Sequence, residues 1–78
     1  MATAKIEREM AARGKGCLGK AADDEPVFIL RGQDIFAASL VRHWANLAQI
    51  SGAPYAKVDE ANELAELMER WDTKKWPD

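Results

Sequence analysis

A chain of 78 residues makes one domain at most, because a protein this small buries only about 60% of its unfolded surface and builds a single small core. Apolar residues at 47% and charged residues at 31% belong to a folding sequence rather than a disordered one, and a formal charge of −2 excludes a strong overall pull towards nucleic acid or anionic lipid. One Cys and one His exclude an internal disulfide, a four-ligand Cys/His zinc site and a redox pair, so no cofactor and no metal are expected.

The longest apolar runs, such as Val27-Phe28-Ile29-Leu30, fall far short of the ~20 residues that cross a bilayer, so no membrane partner is expected. Glu7 and Glu9 interrupt the first turns where a signal peptide needs an apolar core, which predicts a cytoplasmic location. Charge is segregated along the chain. Residues 1–20 carry Lys5, Arg8, Arg13, Lys15 and Lys20 against Glu7 and Glu9. Asp23, Asp24, Glu25 and Asp34 then outweigh Arg31, and Asp59, Glu60, Glu63, Glu66, Glu69 and Asp72 face Arg70 alone.

In chain order, a first short helix is predicted from a cap at Thr3 to Arg13, with Ile6 and Met10 one turn apart and Gly14 as its stop. Gly14, Gly16 and Gly19 follow within six residues and predict a flexible basic loop. This first part, residues 1–22, is where mobility is expected. Pro26 opens an extended segment in which Val27 to Leu30 reads as a short buried strand. Its partner is either the N-terminal arm or a second copy of the chain in a homodimer, and Pro26 favours an edge position.

The second helix is predicted from a cap at Asp34 to Ser51, with Gly52 and Pro54 as terminators. Phe36, Leu40, Trp44, Leu47 and Ile50 recur at three and four residues, widened by Val41 and Ala48, while Ser39, Arg42, His43, Asn46 and Gln49 take the other side. Trp44 is the expected centre of the core, with a cost of about 3–5 kcal/mol for Trp44→Ala. A third helix, about Ala56 to Asp72, carries Val58, Ala61, Leu64, Ala65, Met68 and Trp71 as its apolar stripe. Asp59, Glu63 and Glu66 line the face turned away. The short connection makes the two long helices an αα-hairpin. The expected fold class is therefore mainly α, with a small α+β arrangement if residues 27–30 find a strand partner.

Gly14-Lys15-Gly16-Cys17-Leu18-Gly19-Lys20 satisfies the G-x-x-x-x-G-K phosphate-cradling pattern, but its context rejects it. That motif needs a strand before it, a helix after it and a Ser or Thr next, where this chain has a helix before and Ala21 after. Cys17 is expected as a small apolar filler and His43 as a surface residue, which leaves no nucleophile with a base and no enzyme activity expected. A short Gly-containing turn between helices also outlines a helix-turn-helix DNA regulator, the alternative reading. The acidity of the last helix opposes it, since a recognition helix must approach phosphates, and direct nucleic-acid binding is not expected. A row of acids on one helix instead suits a partner with a basic surface. Asp59, Glu63 and Glu66, with Asp23, Asp24 and Glu25 as a second cluster, are the candidate partner-binding residues. Trp76, beyond the last helix, is expected to fold back over the core.

Glu7-Arg8-Glu9-Met10, the run from Gly14 to Lys20, and Asp23-Asp24-Glu25-Pro26-Val27-Phe28-Ile29-Leu30-Arg31-Gly32-Gln33-Asp34, with the ending Met68-Glu69-Arg70-Trp71 and Lys74-Lys75-Trp76-Pro77-Asp78, resemble small uncharacterised proteins encoded by phages and prophages of proteobacteria. The resemblance implies a phage protein acting in a bacterial host cell and carries no catalytic residues. By analogy with small acidic phage proteins, it implies an inhibitor of host defence of the anti-CRISPR kind, whose partner would be a type I CRISPR surveillance complex.

Overall fold

The computed structural model describes residues 2–76; Met1 lies outside the described residues, as do Pro77 and Asp78 of the C-terminal motif. The fold is mainly α, with helices α1 (Ala4–Ala12), α2 (Gly16–Lys20), α3 (Ala37–Ile50) and α4 (Tyr55–Arg70). Two hairpins organise the chain: α1 packs with α2, and α3 with α4.

Thr3 caps α1 as its chemistry predicts, its side-chain oxygen accepting the Ile6 N–H at 3.2 Å. Gly14 then turns the backbone with φ +68°. Its N–H donates to Ala11 O at 3.0 Å and the Lys15 N–H to Met10 O at 2.8 Å, which satisfies carbonyls the helix would otherwise leave open. The loop expected over 14–20 is instead a turn followed by α2. A Cβ on Gly19 would stand 2.7 Å from the Gly14 carbonyl carbon and 3.3 Å from Ala11 Cα, so the α2 backbone rests directly on the end of α1. Glycine at 19 answers to contact rather than flexibility. Cys17, expected as filler, is exposed on this turn. Gly19→Ala should push α2 off α1 at a cost of about 1–3 kcal/mol, as overpacking does elsewhere. Hydrogen exchange should report it as faster amides over 16–20 with unchanged amides in α3 and α4.

Residues 26–31 form neither helix nor strand, and the buried strand expected at Val27–Leu30 does not form. No backbone hydrogen bond engages residues 27–30 among the described residues, and Val27, Phe28 and Ile29 are exposed, Phe28 to 84%. A strand needs a neighbouring edge, and among the described residues no backbone pairs with this segment. The isolated bridge that does form pairs Asp34 with Lys75 in parallel.

Asp34, the expected cap, stands two residues ahead of the observed cap position at Phe36. Its Oδ1 accepts the Phe36 N–H at 2.8 Å and its carbonyl accepts the Ala37 N–H at 3.0 Å, making an Asx turn that leads into α3 while Phe36 takes the cap position. At the other end Gly52, with φ +84°, and Pro54 reverse the chain into α4. The α3–α4 hairpin forms as expected. Arg42, in the first half of α3, binds Glu69 near the end of α4 at 2.6 Å, as antiparallel helices require.

The core between these helices is made of small residues: Ala37 and Ala45 from α3, Val58 and Ala65 from α4, all buried. Half-buried Val41, Ala48, Ala61, Leu64 and Met68 flank them. The expected centre is displaced. Trp44 is 55% exposed, and Phe36, Leu40, Leu47 and Ile50 also lie open, as does Trp71. Alanines let two helix backbones approach closely, so α3 turns its Ala37–Val41–Ala45–Ala48 stripe to α4 and leaves the neighbouring bulky stripe outside. The stabilisation of about 3–5 kcal/mol that belongs to a fully buried aromatic side chain therefore does not arise for Trp44 within one chain.

The tail closes back on the segment before α3. The Lys75 N–H donates to Gln33 O at 2.7 Å and the Ile35 N–H to Lys75 O at 3.1 Å. The Lys74 ammonium donates to Gly32 O at 3.2 Å and to Met68 O, an end carbonyl of α4. Trp76 folds back as expected, its ring meeting Phe36 edge to face at 5.8 Å, yet it stays 74% exposed. Among the described residues no helix is long and apolar enough to cross a membrane.

Candidate functional site

The spacing of Asp59, Glu63 and Glu66 puts them on one face of α4, about a third of a turn round from the buried Val58 and Ala65. All three are exposed. Asp59 and Glu63 meet no cation within ion-pair distance among the described residues, whereas Glu66 binds Arg70 at 2.5 Å across one helical turn. That contact is of the exposed i,i+4 kind, worth about 0.3–0.5 kcal/mol, so a stronger external cation readily displaces it. Of the remaining acids on the helix, Glu69 is engaged by Arg42 and Glu60 borders an apolar groove.

The second acidic cluster sits on a turn. Asp23, Asp24 and Glu25 are exposed, and Glu25 is partly committed to structure: its Oε1 accepts the Ala22 N–H and its own N–H donates to Ala22 O, both at 3.0 Å. Asp23 and Asp24 have no such duty among the described residues.

A surface that sequence reasoning missed lies on the α3–α4 hairpin. Phe28 and Leu30 from the extended segment, Leu40, Val41 and Trp44 from α3, and Ala61 and Leu64 from α4 line a groove of about 540 Å³ with Lys57 and Glu60 at its side. Phe28 and Leu30 line this groove, as does Ala2 near the N-terminus, whereas Val27 and Ile29 do not. The signal was present in the bulky stripe of α3, but periodicity marks a stripe as apolar without saying what covers it.

Catalytic groups do not converge. His43 and Cys17 are both exposed and belong to different hairpins. Among the described residues no three His, Cys, Asp or Glu side chains come together as a metal site. What the arrangement offers chemically is two kinds of contact surface, one carboxylate and one apolar. No protein-family model, curated protein or solved structure matches the chain.

Proposed function

We propose that this chain is a non-enzymatic interaction protein that binds a basic surface on another macromolecule through the outward face of α4. The observation that carries the reading is the exposed pair Asp59 and Glu63, one turn apart on a rigid helix with no cation of their own among the described residues. Glu66 extends the row once Arg70 lets go. A rigid row of carboxylates meets a basic groove with little ordering cost and steers its approach over several ångströms. The resemblance to phage-encoded proteins supports a more specific form of the proposal, in which the basic surface is a nucleic-acid-binding surface of a host defence complex of the type I CRISPR kind and the protein acts as its inhibitor.

The test begins with affinity capture from a bacterial lysate at low salt, followed by mass spectrometry. A nucleic-acid-processing complex should be retained and should elute as salt rises. Retention of DNA alone would replace this reading with the helix-turn-helix-like regulator. With the captured partner in hand, Asp59→Gln, Glu63→Gln and Glu66→Gln combined should slow association about tenfold at low ionic strength and flatten its salt dependence. The substitutions are exposed and should change stability by less than about 0.5 kcal/mol. Gln at Asp23, Asp24 and Glu25 is the comparison. Association of the α4 variant as fast as the parent at low salt would dismiss the acidic row as a solvated face.

A further inference from the structure

The helices of this chain fall into two groups, and the backbone between them is held by neither. α1 and α2 pack on each other, and α3 packs on α4, while the tail closes on the residues before α3 through the bonds of Lys74 and Lys75. The buried hydrophobic residues Ala37, Ala45, Val58 and Ala65 all lie in the second group, whereas α1 and α2 bury none. Coming from α2, the chain is bonded as far as the turn at Ala22 and Glu25. Coming from α3, it is bonded as far back as Arg31, whose carbonyl accepts the Asp34 N–H. Residues 26–30, between these limits, make no backbone hydrogen bond among the described residues. Phe28 stands in the middle of that stretch, and at 84% it is the most exposed of the large apolar side chains described.

We propose that the Phe28–Ile29 bond is a processing site, cut by an endoprotease whose primary pocket takes an aromatic side chain, and that the cut frees the chain from Ile29 onward with its α3–α4 hairpin and tail closure intact. The step is a hydrolysis. Water adds across the amide, leaving a carboxylate on Phe28 and an ammonium group on Ile29. A protease must draw the residues on both sides of the bond out of their native contacts, so cleavage concentrates where the backbone is exposed and unbonded. The competing aromatic residues fail on this count. Trp44 and Tyr55 are in helices, and Phe36 caps α3 with its N–H on Asp34. Trp71 sits between the end of α4, where its N–H donates to Met68 O, and the bonds of Lys74 and Lys75. Trp76 precedes Pro77, and an amide on a proline nitrogen resists such enzymes. The cut takes nothing from the buried core, and Gly32, Gln33 and Ile35 stay bonded to the tail. Ala2 and Phe28 leave the apolar groove with the shorter piece, while Leu40, Val41 and Trp44 remain, so processing bares more of that groove. Asp59, Glu63 and Glu66 stay on the larger piece, and the inference does not depend on the proposed function.

Limited digestion of the full chain with chymotrypsin, followed by intact-mass spectrometry, should give residues 1–28 and 29–78 as the first products. The Phe28–Ile29 bond should be cut at least about tenfold faster than any other, because every other site must first open locally. Circular dichroism through this first phase should keep the helix signal of α3 and α4. Phe28→Ser should slow the first cut about tenfold or more, since the primary pocket loses its aromatic occupant. Ile29→Pro, which keeps Phe28 and blocks the bond through its ring nitrogen, should do the same. Both residues are exposed, so both variants should keep the parent's helix content. A first cut after Trp71 or within a helix would overturn the proposal, as would cutting at all the aromatic residues at one rate. A larger product that loses its helix signal and is degraded as fast as it forms would overturn it too, as would a first cut at the same bond and rate in Phe28→Ser.

Discussion

Ala65→Leu should loosen the α3–α4 hairpin. Ala65 is fully buried and faces the alanine stripe of α3, so three added carbons have nowhere to go unless the helices separate. Overpacking of this kind costs about 1–3 kcal/mol. A chain of 78 residues has about 4–12 kcal/mol to lose by the usual per-residue scale. Urea unfolding followed by circular dichroism should show a lower midpoint with loss of helix. Ala45→Leu, on the facing helix, should behave alike. The double variant should cost less than the sum of the two, because once the helices part for one leucine the second finds room. Midpoints equal to the parent would mean that the helices do not meet through these residues.

Lys75→Pro should release the tail. The substitution deletes the N–H that donates to Gln33 O at 2.7 Å and constrains the backbone that places the Lys74 ammonium on Gly32 O and Met68 O. Loss of one backbone bond and disturbance of its neighbours should cost about 1–2 kcal/mol. The edge contact between Trp76 and Phe36 should go with it, so the ring-current shifts of the Phe36 ring protons should be lost. Lys75→Ala, which keeps the N–H, should leave both readouts near the parent values. Equal effects of Pro and Ala would point to the lysine side chain and refute the backbone role.

The elements most legible in the sequence are those fixed by local chemistry. Thr3 at the start of α1, Gly14 after it, and the Gly52 and Pro54 pair between α3 and α4 each act through their own backbone or their nearest neighbours. The face of α3 that packs was not legible in the same way. Two stripes lie side by side on that helix, one of Phe36, Leu40, Trp44 and Leu47 and one of Ala37, Val41, Ala45 and Ala48. Hydrophobicity favours the first as core, whereas closeness of approach favours the second, and only the partner helix decides. Gly19 misled for a related reason, since its purpose is contact with a backbone five residues away. At the candidate site, the exposure of Asp59 and Glu63 follows from helical periodicity alone. The groove required Phe28 and Leu30 to be carried to α3 across the turn at Asp34, which periodicity cannot express.

The two-hairpin construction also sets a timescale. α1 meets α2 after a three-residue turn from Arg13 to Lys15, and α3 meets α4 after the four residues Ser51 to Pro54, so most contacts that hold a single chain together join neighbours in sequence. Chains built this way close short loops and belong with helical bundles of low contact order, which fold in microseconds to milliseconds. The long-distance closure is that of Lys75 onto Gln33 and Ile35, and it comes after both hairpins exist. Each hairpin can therefore form by itself, and the closure of the tail is the last contact to lock.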